Sequence, residues 1–432
     1  MFKKILSVFL LVAFFLGNSL SAKAAKPDPN QVGPVEVSSA VYSDLSAPVR
    51  DLTGVSPTAS TDKEKKEKPL RILPNMGNAL NSPDGALQTG SAPLAGTTGG
   101  LNFAGVGQGD YGFTDRYAPP DTVGAVGATQ YVQWVNDNFA VFNKSNGALL
   151  TGPKPGNSLW VGFGGGCETN NDGDPIVQYD KLANRWVMTQ FSVSTVPYLQ
   201  CVAVSQTSDA TGAYYRYAFS YGNTQFNDYP KMGIWPDGYY ITYNIFNNGS
   251  TFAGSKACSM DRNAMLSGLP ATQQCFQLGT TYGGLLPSDL DGITAPPAGS
   301  PNFFMNFGAN SLNLWKFHVD FSNAANTTFT GPTKITVASF SAACSGGGTC
   351  IPQSGTSNKL DSLADRLMYR LAYRNRAGVE SLVVNHSVAT STKKTAPTSV
   401  RWYEIRNPNG TPNVFQQGTL SSADGISRWM GS

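Results

Sequence analysis

DPIVQYDKLANRWVMTQF (Asp174–Phe191) and YPKMGIWPDGYYITYN (Tyr229–Asn244) share one plan. A short apolar strand follows a polar or proline step, then comes a turn with a small or acidic residue, then a second strand rich in Tyr or Trp. β-Branched and aromatic residues bounded by Asp, Asn, Gly or Pro are what a pleated, buried surface selects. Comparable runs recur at Tyr131–Val135, Phe139–Phe142, Cys201–Val204, Leu314–Phe317 and Ser381–Val384. Only DRNAMLSGL (Asp261–Leu269) reads as a short helical turn. With no sustained 3.6-residue period, a βαβ nucleotide-binding fold is disfavoured.

The residues that open these strand pairs recur at Asp121, Asp174, Asp228, Asp289, Asp365 and Arg428, with spacings of 53, 54, 61, 76 and 63. A unit of roughly 40–50 residues with about four strands predicts a propeller blade, because one blade cannot bury both faces and must stack on neighbours. A β-sandwich array would repeat at roughly 100 residues. The expected fold is therefore all-β and β-propeller-like, with four-stranded blades over residues 109–432. The anchor residues are expected where each innermost strand begins, accepting hydrogen bonds from turn amides. Five anchored units precede the opening of a sixth at RWMGS (Arg428–Ser432). An open array leaves an exposed edge, so the expectation is a blade set truncated at its C-terminus.

The composition agrees. Only 14 % of residues are charged and 11 % are aromatic, with 46 Gly and 27 Pro, against roughly 25 % charge in an average chain. Coiled coils, helical bundles and charged tails are excluded on that basis. Met1–Lys4 is a basic start, Ile5–Leu20 an apolar run, and Ala22-Lys23-Ala24 a small-residue cleavage site. That is the layout of a secretory signal peptide over 1–24, too short and wrongly flanked for a membrane span. Its lysines, Lys3, Lys4 and Lys23, account for the whole +3 charge, leaving 28 basic and 28 acidic residues. A neutral exported chain has no general attraction for nucleic acid or anionic lipid. The expected location is extracellular, at the cell surface or in the periplasm, and the expected state is monomeric.

Residues 25–108 are rich in Pro, Ser, Ala, Gly and Thr and carry a mixed charge run at Asp62–Lys68. They read as a leader or pro-segment without its own core, with Val35–Leu52 able to dock as a strand. Six cysteines in an oxidising compartment point to disulfides. Sequence order favours Cys167–Cys201, Cys258–Cys275 and Cys344–Cys350, among 15 possible connectivities.

Taken together, PPDTVGAVG (119–127), DGDPIVQYD (172–180), DYPKMGIWPDG (228–238), DRLMYRLAYRN (365–375) and RWMGS (428–432) resemble a largely uncharacterised family of secreted bacterial β-propeller-like proteins, distantly sialidase-like. The resemblance covers about Pro119–Ser432 and implies fold and export. It brings no catalytic residues with it, and in similar proteins the chain runs on beyond RWMGS. Sialidase Asp boxes are matched only loosely, by Thr207–Tyr215, and such boxes stabilise turns on a blade rim.

Several constellations bear on chemistry. Arg116, Arg366, Arg370, Arg374 and Arg428 flank the anchors, and clustered arginines hold carboxylates bidentately. Adding Asp174 or Asp228 and Tyr229 or Tyr369 sketches a glycoside-cleaving site. The competing and favoured account is structural, with each Arg paired to an anchor Asp. Arg366 and Arg370, four apart, would share a face of one strand. His386, flanked by Asn385 and Ser387, is the better candidate base of the two histidines, and His318 reads as a strand residue. No zinc spacing, P-loop, G-x-S-x-G or EF-hand exists. Asp172 with Asp174, and Asp289 with Asp291, are oxygen-rich turns that could ligate calcium; ordinary Asx turns explain them equally. No other cofactor is implied. The expected function is binding of an extracellular ligand, carbohydrate in class. A sialidase-like glycoside hydrolase or propeller polysaccharide lyase, and a structural or adhesive surface module, are the alternatives.

Overall fold

The computed structural model describes residues 31–52, 73, 83–88, 98–114, 119–391, 396–420 and 424–432. Residues 1–24, expected to be a signal peptide, the Asp62–Lys68 charge run and Arg116 lie outside the described residues. The chain is all-β, and each strand-like run quoted above lies in a strand.

Five four-stranded antiparallel meanders follow one another. The first comprises Val123–Val126, Gln130–Val135, Asn138–Asn143 and Leu149–Pro155. The second comprises Ile176–Asp180, Arg185–Ser192, Leu199–Ser205 and Tyr214–Ser220. The third comprises Gln225–Ile234, Tyr239–Asn247, Thr251–Met260 and Thr272–Gln277. Leu286–Leu290, Asn302–Gly308, Ser311–His318 and Thr328–Thr336 form the fourth. Met368–Arg376, Val379–Ala389, Thr398–Arg406 and Asn413–Leu420 form the fifth. Their first strands pack in chain order, each on the next. The last contact is a true parallel ladder, with Ser288 beside Leu371 and Leu290 beside Tyr373.

Stacking of meander on meander explains why the strands read as near-continuous apolar runs: both faces are covered. In the strand Arg185–Ser192, Trp186 and Met188 join Val132, Trp134 and Phe139 of the first meander. Val187 points the other way, toward Met232 and Ile241 of the third. An aromatic layer of Tyr240, Phe276, Phe303, Phe304 and Phe317 fills the space between the third and fourth. Phe303 and Phe304 are fully buried, each worth roughly 1.5–3 kcal/mol of transfer free energy. The first strands approach closely enough to exclude side chains. A Cβ on Gly233 would sit 2.2 Å from the Ser288 carbonyl oxygen. Gly233→Ala is therefore expected to lower stability by about 1–3 kcal/mol, as overpacking against backbone does. A urea-unfolding midpoint equal to that of the parent would refute this.

The described parts of residues 25–108, expected to be a leader, are docked more extensively than composition implies. Glu36–Ser39 adds a fifth strand to the third meander, and Tyr42–Leu45 adds one to the second. Val49 and Leu52 then enter the core between the first two meanders. Farther along, the Leu73 amide donates to Asp365 at 3.1 Å, and Leu87 bridges to Thr419 of the fifth meander. This belt supplies the carboxylates of three buried cations. Asp44 takes both Nε and Nη2 of Arg216, at 2.7 and 2.6 Å, Glu36 pairs with Lys256 at 2.6 Å, and Asp84 pairs with Arg401. Such docking uses sheet edges and ion pairs, so it leaves no apolar run in the sequence.

The three expected disulfides form: Cys167–Cys201, Cys258–Cys275 and Cys344–Cys350. The second joins directly opposed residues of neighbouring strands. The expected helical turn is Arg262–Leu266, capped by Asp261 accepting from the Ala264 amide at 3.0 Å. A second short helix, Gly165–Thr169, lies in the glycine-rich stretch around Cys167. In the near-Asp-box, Asp209 accepts from the Thr211 amide at 2.9 Å and from Gln130 of the first meander at 2.9 Å. Burial opposes ionisation of Asp209, but these donors and Arg50 hold its carboxyl below the usual range.

The anchors divide. Asp121 and Asp174 do precede first strands, and both adopt positive φ, at 40° and 45°, a region Asp tolerates better than most residues. Asp228 sits instead at a bulge inside Gln225–Ile234. Asp289 is a correction: it lies at the exit of Leu286–Leu290, not its entry, which accounts for the uneven spacing around it. Arg428 also opens no strand among the described residues. Its amide donates to Thr398 at 2.9 Å, and the Met430 amide donates to Ser387 at 3.1 Å, laying this segment on the fifth meander.

Candidate functional site

First strands that run side by side bring their exits together, and the polar side chains there form one connected group. At the level of the strands, Gln178 of the second meander donates through Nε2 to the Met232 carbonyl at 2.8 Å and to the Tyr369 hydroxyl. Three meanders are thereby tied at one point. Burial pushes the Tyr369 hydroxyl pKa above its ordinary value.

Toward the exits the group becomes ionic. Asp289 accepts from the Ile234 amide at 3.0 Å and pairs with Arg370 at 3.0 Å. Arg370 also reaches Asp291 at 3.2 Å, Arg374 reaches the same carboxylate at 2.7 Å, and Lys181 lies 3.7 Å from it. Placement follows from the parallel ladder: the Asp291 amide donates to the Tyr373 carbonyl at 2.8 Å, which sets Asp291 beside Arg374. Burial raises the Asp289 carboxyl, against the pull of Arg370. For Asp291 burial also pushes up, but the Arg374 hydrogen bond and the charges of Arg370, Arg374 and Lys181 outweigh it and hold the carboxyl low. Three cations thus surround two carboxylates, and the cations are the more exposed: 37 % for Arg370 and 43 % for Arg374, against 12 % for Asp289.

Beside this group, Asp180 is wholly buried and held by Arg262 at 2.7 and 3.2 Å and by the Tyr239 hydroxyl at 3.0 Å. Neither Asp180 nor Lys181 stands out in the sequence; an Asp-Lys pair at a strand exit looks like any turn. Asp237, in the turn of the third meander, accepts from Tyr240 at 3.0 Å. Burial raises its carboxyl to about 6, with Tyr240 and the charges of His318 and Arg262 pulling the other way.

The remaining candidates lie apart. Arg366 precedes the strand Met368–Arg376 and forms a bidentate pair with Asp365, at 2.7 and 2.9 Å. Arg370 falls in the register shift between Met368 and Ala372. The two arginines therefore share no strand face, contrary to their i, i+4 spacing, because one is outside the strand and the other in its bulge. Arg366 lies over the Tyr229 ring at 4.5 Å, and Lys231 over the same ring at 3.7 Å; Asp228 acts electrostatically on Arg366. Arg428 pairs with Asp424 at 2.8 Å on the surface.

His386 is another correction. It is wholly buried, with Nε2 2.9 Å from the Tyr403 hydroxyl and its ring 4.9 Å from Phe307 and 4.6 Å from Phe340. Burial and the nearby Arg401 push its pKa down to about 3. A sealed, neutral imidazole meets no substrate. His318 is exposed at the end of its strand. Among the calcium candidates, the carboxylates of Asp172, Asp289 and Asp291 engage protein donors. Asp172 accepts from the Val193 and Ser194 amides at 2.6 and 2.7 Å, while Asp289 and Asp291 face arginines. Among the described residues no cluster of three or more His, Cys, Asp or Glu side chains could hold a metal, and no helix is long and apolar enough to cross a membrane.

No protein-family model matches the chain, and a search of curated proteins returns no match.

Proposed function

We propose that the chain is an exported, β-propeller-like protein that holds an extracellular carbohydrate and does not cleave it. Pairing of the arginines carries this reading: Arg366 is matched to Asp365, and Arg370 to Asp289 and Asp291. Most glycosidases need two carboxyls across a cleft, one protonated and one ionised, and sialidases put a Tyr nucleophile in place of one. Here the Tyr369 hydroxyl is bonded to Gln178, and the Tyr229 ring lies under Arg366 and Lys231. Arg366 and Asp365 are both buried, whereas Asp289 and Asp291 lie deeper than Arg370 and Arg374, so the outward groups at this point are hydrogen-bond donors. Donors presented on a rigid rim bind; they do not supply acid and base. The five stacked meanders with converging first strands support a propeller arrangement. The three disulfides fit an oxidising compartment.

The test is to screen the purified protein on a glycan array and to incubate it with the same polysaccharides. Selective retention is expected, with no new reducing ends and no unsaturated uronyl products. Release of either product would replace this reading with the hydrolase or the lyase. Absence of both retention and turnover would leave the structural or adhesive module.

A further inference from the structure

The sheet register extends the cationic rim outward along one line. Arg374 pairs in register with Ser381, Ser381 with Arg406, and Arg406 with Asn413. Arg374 and Arg406 therefore stand on the same face of the fifth meander, two strands apart, which is about 10 Å. Lys181 and Arg370 continue the row inward, since both pair with Asp291 beside Arg374. At its outer end, Arg406 stacks on Phe415 at 3.2 Å. Phe415 is 51 % exposed. It occupies the register shift opposite Glu404 and Ile405, which turns it onto this face.

Each cation already has a carboxylate, but none of them is covered. Arg374 engages Asp291 through Nε, and Arg406 engages Glu404 through Nε at 2.8 Å. Holding a guanidinium by Nε orients its outer edge toward solvent, where a second anion can meet it bidentately. Along the row stand Lys181, Arg370, Arg374 and Arg406 against Asp289, Asp291 and Glu404. The exhausted carboxylates are the inner layer and the donors the outer one. The row carries one net positive charge, with its cations outermost and an exposed aromatic ring at one end.

Resting on the carbohydrate reading above, we propose that the ligand is a linear polysaccharide carrying carboxylate or sulfate groups. Successive anions bind Arg374 and Arg406, and a sugar face packs on Phe415. Two arginines two strands apart match anions borne on alternate sugars better than they match one small anion. Exposed arginines at this separation are screened separately by salt, so affinity falls as ionic strength rises.

The experiment measures binding of the full chain by calorimetry to polygalacturonate, dextran sulfate and uncharged dextran, at about 0.05 M and about 0.5 M salt, the Debye length falling several-fold between them. Binding to one or both acidic polymers, at least tenfold tighter than to dextran and weakened by salt, is expected. The two acidic arms separate carboxylate from sulfate. R374A/R406A is expected to lose at least tenfold, with R374K/R406K recovering part of it while the far-ultraviolet spectrum stays unchanged in both. Equal binding of dextran and the acidic polymers, or full binding by R374A/R406A, would overturn the inference and leave carbohydrate binding standing. Failure to bind any glycan on the array, these polymers included, would overturn both.

Discussion

Asp84→Ala lowers stability by about 3–5 kcal/mol, the usual cost of leaving one partner of a buried ion pair uncompensated. Arg401 has no exposed surface, and the Asp84 side chain is 1 % exposed. The carboxylate also accepts from the Thr419 hydroxyl at 2.7 Å and from the Ala86 amide at 2.9 Å. Arg401 completes its own set with the Ala338 and Ser339 carbonyls, at 3.1 and 3.2 Å. Removing Asp84 leaves the guanidinium in place with a full charge and neutral partners only. The loss is read as a shift of the urea midpoint, with the slope unchanged if the transition remains two-state. Asp84→Asn keeps the shape and is expected to recover less than half of the loss, since charge is what is missing. A midpoint within the scatter of the parent would show that the belt contributes nothing to the fifth meander.

Replacing His386 changes the pH dependence of stability more than its value at neutral pH. The ordinary imidazole pKa is about 6.5 and the folded value about 3. Above pH 6.5 the ring is neutral in both states, and stability is complete. As pH falls below 6.5 the unfolded chain takes up a proton that the folded one refuses. Stability then drops by about 1.4 kcal/mol per pH unit, totalling about 4–5 kcal/mol by pH 3. Asp237 works in the opposite direction. Its folded carboxyl titrates near 6, so the folded state binds the proton first and gains stability as pH falls from 6 toward 4. In the parent the two slopes nearly cancel over that window. His386→Gln removes one of them, so the variant should grow more stable relative to the parent by roughly 1.4 kcal/mol for each unit below 6.5. Asp237→Asn should show the converse. A constant difference between His386→Gln and parent from pH 7 to 4 would exclude the buried neutral ring.

Strand positions, the all-β class, the disulfide pairs and the helical turn at Arg262–Leu266 were legible along the chain because each depends on neighbours in sequence. Alternation, turn residues and cysteine order report local geometry directly. The unit repeat was legible too, although Asp289 was assigned to the wrong end of its strand. An aspartate at a strand exit and one at a strand entry look alike until the partner strand is known.

What decides the rim is contact between residues far apart in sequence. Lys181 and Asp291 meet because the first strands run side by side. Arg370 leaves the face of Arg366 because the strand bulges at that point. His386 is a core residue because Phe307, Phe340 and Tyr403 close over it. Composition and local pattern thus suffice for what kind of element each segment forms. Which charges are paired, which are buried, and which remain to meet a ligand depend on the partner that the fold brings to each, because ionisation and exposure follow the three-dimensional surroundings and not the adjacent residue.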